Sequence, residues 1–132
     1  MGRGSRELEL VRDALRAARA AVLRSLSDRG REYLGTRGYF GDATLVVDRA
    51  AEEAVISVVR ERIPDAFIVT EEAGILRGDG PLVLLDPVDG SMNARRGIPA
   101  FSTAIAVTEG PGRRYSDLVA AGVVDHATGE II

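Results

Sequence analysis

Residues 82–93 read Leu-Val-Leu-Leu-Asp-Pro-Val-Asp-Gly-Ser-Met-Asn, and this stretch decides how the rest of the chain is interpreted. Four apolar residues favour a buried strand, which we expect over Leu82–Asp86. Pro87 then fixes a bend, and a second carboxylate, Asp89, follows just before a glycine and a serine. Two carboxylates are thereby directed at one point from a stiff support. The alternative is that Asp86 ends a strand and Asp89 caps a helix, since Asp-Pro-x-Asp-Gly is also a good turn sequence.

Carboxylates in this pattern are typical of a site for a hard divalent cation such as Mg²⁺, which leaves positions for water and phosphate. The chain has no cysteine, so thiolate ligands and disulfides are excluded. The single histidine, His126, lies in a predicted turn, where histidine is more often structural or exposed than a ligand, so we leave it out of the site. If Gly90 and Ser91 begin a short helix, their backbone N–H groups would face a phosphate.

A second acidic segment follows another apolar run. Glu71 and Glu72 come directly after Ile68-Val69-Thr70. If this strand and the strand before Asp86 belong to one sheet, Glu71 can reach a metal held by Asp86. The alternative is an exposed acidic turn.

Two amphipathic helices are expected before these strands. In the first, over Leu8–Leu26, apolar residues recur every three or four positions and form one buried stripe, with Ser5 as N-cap and Gly30 just past the end. The second is expected over Asp48–Arg62, where Pro64 ends it. Asp48 would N-cap this helix, a role that is compatible with catalysis.

The rest of the chain favours strands and turns. We expect a loop or loose hairpin over Arg31–Asp42, a hairpin strand beginning at residues 130–132, and strands over Ala43–Val47, Ala66–Thr70, Leu82–Asp86, Phe101–Thr108 and Leu118–Val124. Helices followed by consecutive strands predict an α+β fold with two helices packed on a mostly antiparallel sheet. With 132 residues, of which 45% are hydrophobic, the chain is expected to form one domain, 1–132.

Together these segments resemble the inositol monophosphatase family, particularly its archaeal branch. The matching residues are Asp42, Thr44 and Asp48, then Glu71 and Glu72, then residues 86–91, and Gly97-Ile98-Pro99 after Asn93. The resemblance implies the N-terminal half of the sandwich fold shared by inositol monophosphatases and fructose bisphosphatases, with the family's C-terminal domain absent from this sequence. The segment over Tyr33–Asp42 would be the family's mobile catalytic loop.

The resemblance also implies roles for individual residues. The ligands of two Mg²⁺ ions would be three carboxylates and one backbone carbonyl: Glu71, Asp86, Val88 and Asp89. The catalytic residues would be Asp48, Glu71 and Ser91, with Asp48 and Ser91 orienting the attacking water. Substrate and phosphate would be bound by Asp89, Gly90, Ser91 and Asn93. A third, weaker ion would lie near Asp42 or Asp48.

The implied activity is that of a Mg²⁺-dependent phosphomonoesterase, which hydrolyses inositol monophosphate or fructose 1,6-bisphosphate with a metal-activated water. Two alternatives stay open: a self-associating metal- and phosphate-binding module without turnover, and a nucleotide 3′-phosphatase of the same superfamily. The net charge of −3 argues against a nucleic-acid partner. Without a signal peptide or a long apolar run, we expect a cytoplasmic protein with no membrane contact. Half of a layered fold would leave an apolar face, so we also expect a homo-oligomer.

Overall fold

The computed structural model describes residues 4–27, 33–37, 43–96, 98 and 100–132 of the chain. Side chains are described for these residues except 27, 33–37, 43, 44, 89, 91, 94 and 95. The predictions for Gly30, for Asp42 and for the pair Gly97 and Pro99 therefore lie outside the described residues.

The first helix, α1, spans Ser5–Ser27 and packs against the second helix and the last two strands of the main sheet. Of its predicted apolar stripe, Val11, Leu15, Ala18 and Val22 are buried, and the structure adds three buried residues that we did not predict, namely Leu10, Ala14 and Ala21. Leu8, which we placed on the stripe, is 48% exposed, so the covered part of the stripe begins at Leu10. Ser5 is the first helical residue rather than the N-cap that we predicted.

The second helix, α2, spans Val46–Arg62 and begins two residues earlier than predicted. Asp48 is therefore the third residue of α2 and not its N-cap. Its Oδ2 atom still serves the start of the helix, because it accepts a hydrogen bond of 2.9 Å from the backbone N–H of Leu45. The buried apolar side of α2 consists of Val47, Ala51, Val55 and Val59.

The main sheet of the described residues has five strands in the order β4-β3-β5-β6-β7. Their bounds are β3 Phe67–Thr70, β4 Gly74–Leu76, β5 Leu82–Asp89, β6 Ser102–Thr108 and β7 Leu118–Asp125. Strands β3 and β5 run parallel, and the other neighbours run antiparallel. The predicted α+β fold with a mostly antiparallel sheet is thus confirmed. We did not predict β4, which at three residues is too short to show alternation.

The remaining elements are small. Strands β1, Tyr33–Arg37, and β2, Ala43–Leu45, form a separate antiparallel pair, which agrees with the hairpin interpretation of this region. Helix α3, Ser91–Arg96, confirms that the segment after Gly90 turns helical. A short 3₁₀ helix spans Tyr115–Asp117.

Strand β5 does not end at Asp86, as we predicted, but continues to Asp89. Asp86 pairs with Ala104 and Asp89 pairs with Ser102. Between these two pairs β5 advances by three residues and β6 by only two. This is a β-bulge, which leaves one residue of β5 without a ladder partner. It accommodates Pro87, whose missing N–H cannot contribute to a regular ladder.

At residues 130–132, where we predicted the opening of a returning strand, the chain pairs with β7 through an isolated bridge between Ile131 and Val124 and forms no strand of its own. The backbone N–H of Val123 donates to the carbonyl of Ile132 over 3.0 Å, and the reverse bond measures 2.9 Å. At Gly122 the sheet approaches α1 closely, because a Cβ there would lie 2.9 Å from Cγ1 of Val11 and 3.0 Å from Cδ1 of Leu15. A larger residue at position 122 would force the side chains of Val11 and Leu15 to shift.

The two faces of the sheet differ. The face toward the helices forms the main core with buried side chains such as Ile68, Val83 and Val107. On the opposite face the side chains are also apolar but at least partly exposed: Val69, Leu84, Ala104, Ala121 and Val123. We call this surface the open sheet face. Among the described residues no helix is long and apolar enough to cross a membrane.

Candidate functional site

A second, smaller hydrophobic cluster connects α2 to the bulged segment of β5. It contains Val88 together with residues of both helices and β2, namely Val22, Leu45, Val47 and Ala51. Val88 is buried within the bulge, so its side chain anchors the segment between the two acidic residues. Since Asp48 adjoins Val47 in the same helix, this cluster holds the start of α2 against the Asp86–Asp89 segment.

The parallel register of β3 and β5 brings Glu71 and Asp86 to the same edge of the sheet. Thr70 pairs with Leu85, so Glu71 and Asp86 are the next residues along two neighbouring parallel strands. Both residues line one concavity of about 560 Å³, which continues onto the open sheet face. The structure therefore brings together these two residues, which we predicted as metal ligands from separate segments.

Asp48 lies beside this edge as a buried carboxylate that is only 3% exposed. Its Oδ1 atom is buried and accepts no hydrogen bond from any described group. Burial, together with the nearby negative charges of Glu72, Asp86 and Glu52, raises the pKa of Asp48 from its ordinary value of 3.8 to about 7. The N–H of Leu45 acts in the opposite direction. A cation placed among these carboxylates would remove the repulsion.

Glu52 is a residue of the site that we did not predict. Its Oε2 atom accepts hydrogen bonds from Oγ1 of Thr70 at 3.0 Å and from the backbone N–H of Ala73 at 3.1 Å. These two contacts lie on either side of Glu71 and Glu72, so Glu52 closes the turn that carries them. Burial is the main cause that raises the pKa of the Glu52 carboxyl. Its position four residues after Asp48, on the buried side of an amphipathic helix, was the available signal.

The segment after Asp89 is held by backbone geometry and by one amide. Gly90 has φ of 78°, and a Cβ at this position would lie 2.6 Å from the carbonyl oxygen of Ala100. Only glycine fits such a backbone without strain. Nδ2 of Asn93 donates to the same carbonyl over 2.9 Å. Asn93 thus braces the loop, and its role in binding substrate stays a prediction.

His126 is buried behind the bulge, and leaving it out of the ligand set stays a prediction. Its Nε2 atom lies 2.7 Å from Oγ1 of Thr103. The ring stacks on Phe101 with centroids 5.5 Å apart. Burial, and then the positive charge of Arg19, lowers the pKa of His126 from 6.5 to about 4, while Asp125 opposes this shift.

The donor chemistry at this edge fits a hard divalent cation, because every predicted ligand offers oxygen and Asp48 carries a buried oxygen without a hydrogen-bond donor. Within the described side chains, which do not include that of Asp89, no three carboxylate or histidine groups are gathered closely enough to hold an ion. The side chain of Ser91 is likewise not among the described side chains. The ligand set of Glu71, Asp86, Val88 and Asp89 therefore stays a prediction.

The site combines the ends of two parallel strands with the bulge and the carboxylates around Asp48. These features define a class of α+β proteins with an acidic site at the edge of a sheet. The sequence profile of the inositol monophosphatase family matches residues 6–130. The chain belongs to this family.

Two sequence relatives illustrate the match. Nus factor SuhB of Pasteurella multocida is 39% identical over 98 residues, which cover 71% of this chain and 37% of that protein. Fructose-1,6-bisphosphatase/inositol-1-monophosphatase of Archaeoglobus fulgidus is 37% identical over 113 residues, which cover 80% of this chain and 41% of the relative. The chain thus spans less than half the length of these relatives.

Solved structures show the same fold. The extragenic suppressor protein suhB from Bartonella henselae superimposes with a TM-score of 0.79 at 22% identity, over 96% of this chain and 48% of the other. The inositol monophosphatase TM1415 of Thermotoga maritima gives a TM-score of 0.66 at 26% identity, over 99% of this chain and 47% of the other. The fold predicted for this chain is that of the corresponding half of these proteins.

Proposed function

We propose that this chain is the metal- and phosphate-binding part of a Mg²⁺-dependent phosphomonoesterase that acts on inositol monophosphate or fructose 1,6-bisphosphate. The observation that carries the proposal is the group of carboxylates around Asp48, whose pKa is raised to about 7 chiefly by burial and further by repulsion from the negative charges of Glu72, Asp86 and Glu52. Such repulsion is costly in a metal-free protein and is relieved when cations bind. Membership of the inositol monophosphatase family supports the same class of reaction.

The predicted site residues would have three roles: metal binding, orientation of the attacking water and phosphate binding. Glu71, Asp86, Asp89 and the carbonyl of Val88 would hold the ions. When bound, Mg²⁺ would neutralise charge on the phosphoryl oxygens and acidify the attacking water. Asp48 would orient that water together with Ser91. The backbone N–H groups of Gly90 and Ser91 would bind the phosphate.

The test measures phosphate release from inositol 1-phosphate, from fructose 1,6-bisphosphate and from a nucleoside 3′,5′-bisphosphate, with and without Mg²⁺. We expect Asp86→Asn to abolish release from the preferred sugar phosphate. Asp79→Asn is the matched control, because Asp79 is an exposed carboxylate just before the opposite end of β5. Equal activity of Asp86→Asn and Asp79→Asn would reject the site, and selective release from the nucleotide would favour a nucleotide 3′-phosphatase.

The second candidate is a metal- and phosphate-binding module that associates with itself and does not turn over. The open sheet face favours it, because Leu84 is 37% and Val123 is 39% exposed on a continuous apolar surface. We expect sedimentation to show a dimer or larger assembly at micromolar concentration, and Val123→Glu to dissociate it. A monomeric wild-type chain that releases phosphate would exclude this candidate.

A further inference from the structure

Thr103 lies opposite the bulge of β5. On β6 it stands between Ser102 and Ala104, which pair with Asp89 and Asp86. A bulge disrupts the regular ladder at this point, so its backbone groups need other partners. The hydroxyl of Thr103, which is fully buried, donates a hydrogen bond to the carbonyl of Pro87. A side chain thus provides the hydrogen-bond donor for a backbone carbonyl that lies between the two acidic residues.

The chemistry of this hydroxyl determines the state of His126. A threonine hydroxyl has one hydrogen, and here that hydrogen is given to Pro87. In the 2.7 Å contact with His126, Oγ1 of Thr103 must therefore accept, and Nε2 of the imidazole must donate. Because buried Nδ1 has no acceptor for a second hydrogen, the ring is the neutral tautomer with its hydrogen on Nε2. Nδ1, which is buried without a hydrogen-bond partner, carries the lone pair.

The position of the His126 ring, and with it the hydrogen bond from Nε2 to Thr103, is fixed by the surrounding packing. Its side chain is 1% exposed, and its ring stacks on Phe101 at an interplanar angle of 30°. Its backbone N–H donates to the carbonyl of Phe101 over 3.2 Å. Phe101 in turn packs on the small cluster that contains Val88. The donor, the hydroxyl and the bulge are therefore parts of one packed unit.

We propose that Thr103 and His126 are positioning residues, which fix the Pro87 carbonyl and thereby the Asp86–Asp89 segment in its cation-binding geometry. The cation-binding part of this inference rests on the proposed function. Neither residue touches the substrate, and both act through the backbone of the bulge. Outer groups of this kind commonly change metal affinity about 10- to 100-fold when they are removed.

The same strand provides a matched control. Thr108 is also fully buried on β6, where its hydroxyl accepts from the N–H of Leu82 over 2.9 Å and donates to the carbonyl of Gly110 over 3.0 Å. Thr108→Val removes one buried hydroxyl with two hydrogen bonds, as Thr103→Val does, but at the other end of the strand. The two variants should lose similar stability and differ only in their effect on the bulge.

The experiment compares Thr103→Val, Thr103→Ser and Thr108→Val in the whole chain, with Mn²⁺ as the probe and electron paramagnetic resonance to count free ions. We expect Thr103→Val to weaken Mn²⁺ binding about tenfold or more. Thr103→Ser, which keeps the hydroxyl, should stay within about twofold of the wild type, as should Thr108→Val. Equal affinities for Thr103→Val and Thr108→Val would overturn the proposal.

A second measurement does not need the metal. Amide hydrogen exchange at Val88 should be faster in Thr103→Val than in Thr108→Val, and nitrogen NMR should find the His126 ring protonated at Nε2. If the wild type binds no Mn²⁺, the proposed function fails, and the exchange comparison alone decides whether Thr103 positions the bulge. Equal exchange in the two variants, or a ring protonated at Nδ1, would overturn the positioning role.

Discussion

Replacing Asp48 with Asn removes a buried negative charge while keeping the oxygen that accepts the N–H of Leu45. In the metal-free protein this charge is unfavourable, because burial and three neighbouring carboxylates raise the pKa of Asp48 from 3.8 to about 7. A raised pKa means that the folded state binds the proton more tightly than the unfolded state. Proton binding by Asp48 therefore stabilises the folded state. This contribution to the free energy of unfolding is complete below pH 3.8 and is lost as the pH rises through about 7.

The size of this loss follows from the shift. Between the two pKa values, each pH unit removes about 1.4 kcal/mol of the free energy of unfolding, or about 4 kcal/mol in total. The asparagine amide brings N–H groups that need partners, at a cost of about 1–3 kcal/mol. We therefore expect the Asn variant to be about 2 kcal/mol more stable than the wild type at pH 8, and less stable than the wild type below pH 5.

Urea unfolding in EDTA, measured at several pH values from 4.5 to 8, tests this expectation. Adding Mg²⁺ at pH 8 should stabilise the wild type, since a ligand that binds only the folded state raises its stability, and should stabilise the variant much less. A stability difference between the two proteins that does not change with pH would show that burial and the neighbouring carboxylates do not raise the pKa of Asp48 as described.

Three other changes give further tests. Glu52→Leu should cost about 2–3 kcal/mol by leaving Thr70 and Ala73 without their acceptor, whereas Glu52→Gln should cost less than about 1 kcal/mol in the same unfolding assay. Because the pKa of His126 is lowered to about 4, its contribution to stability is complete above pH 6.5 and falls by about 3 kcal/mol as the pH drops toward 4. His126→Gln should lack this dependence in acid unfolding curves. Gly90→Ala should destabilise the chain more than Gly110→Ala in thermal unfolding, since both glycines have positive φ but only Gly90 faces a carbonyl, at 2.6 Å from the added Cβ.

The fold was predictable where the pattern is local and periodic. The apolar spacing from Val11 to Val22 predicted the buried side of α1, and the run before Asp86 predicted a strand, which the structure places at the centre of the sheet. The bulge was not predictable, because Asp-Pro-x-Asp-Gly is equally compatible with a turn that ends the strand. Only the pairing of Asp86 and Asp89 with β6 distinguishes the two.

The acidic site could be predicted in part. Carboxylates at the ends of two apolar runs indicated that Glu71 and Asp86 would meet, and the parallel register of β3 and β5 brings them to one edge. Glu52 was missed because glutamate is usually solvent-exposed, which outweighs the weak signal of its position four residues after Asp48 on the buried side of α2. The contact between Thr103 and His126 joins residues 23 positions apart, so no spacing rule could have found it.

The close approach of α1 to Gly122 has a consequence for synthesis. Part of the cover of α1 comes from β7, which is made well after the helix, and at ~5–20 residues per second that strand follows on the order of ten seconds later. During this interval the side chains of Val11 and Leu15 lack their contact with β7. Until β7 is made, the apolar stripe of α1 therefore lacks the part of its cover that the strand around Gly122 provides.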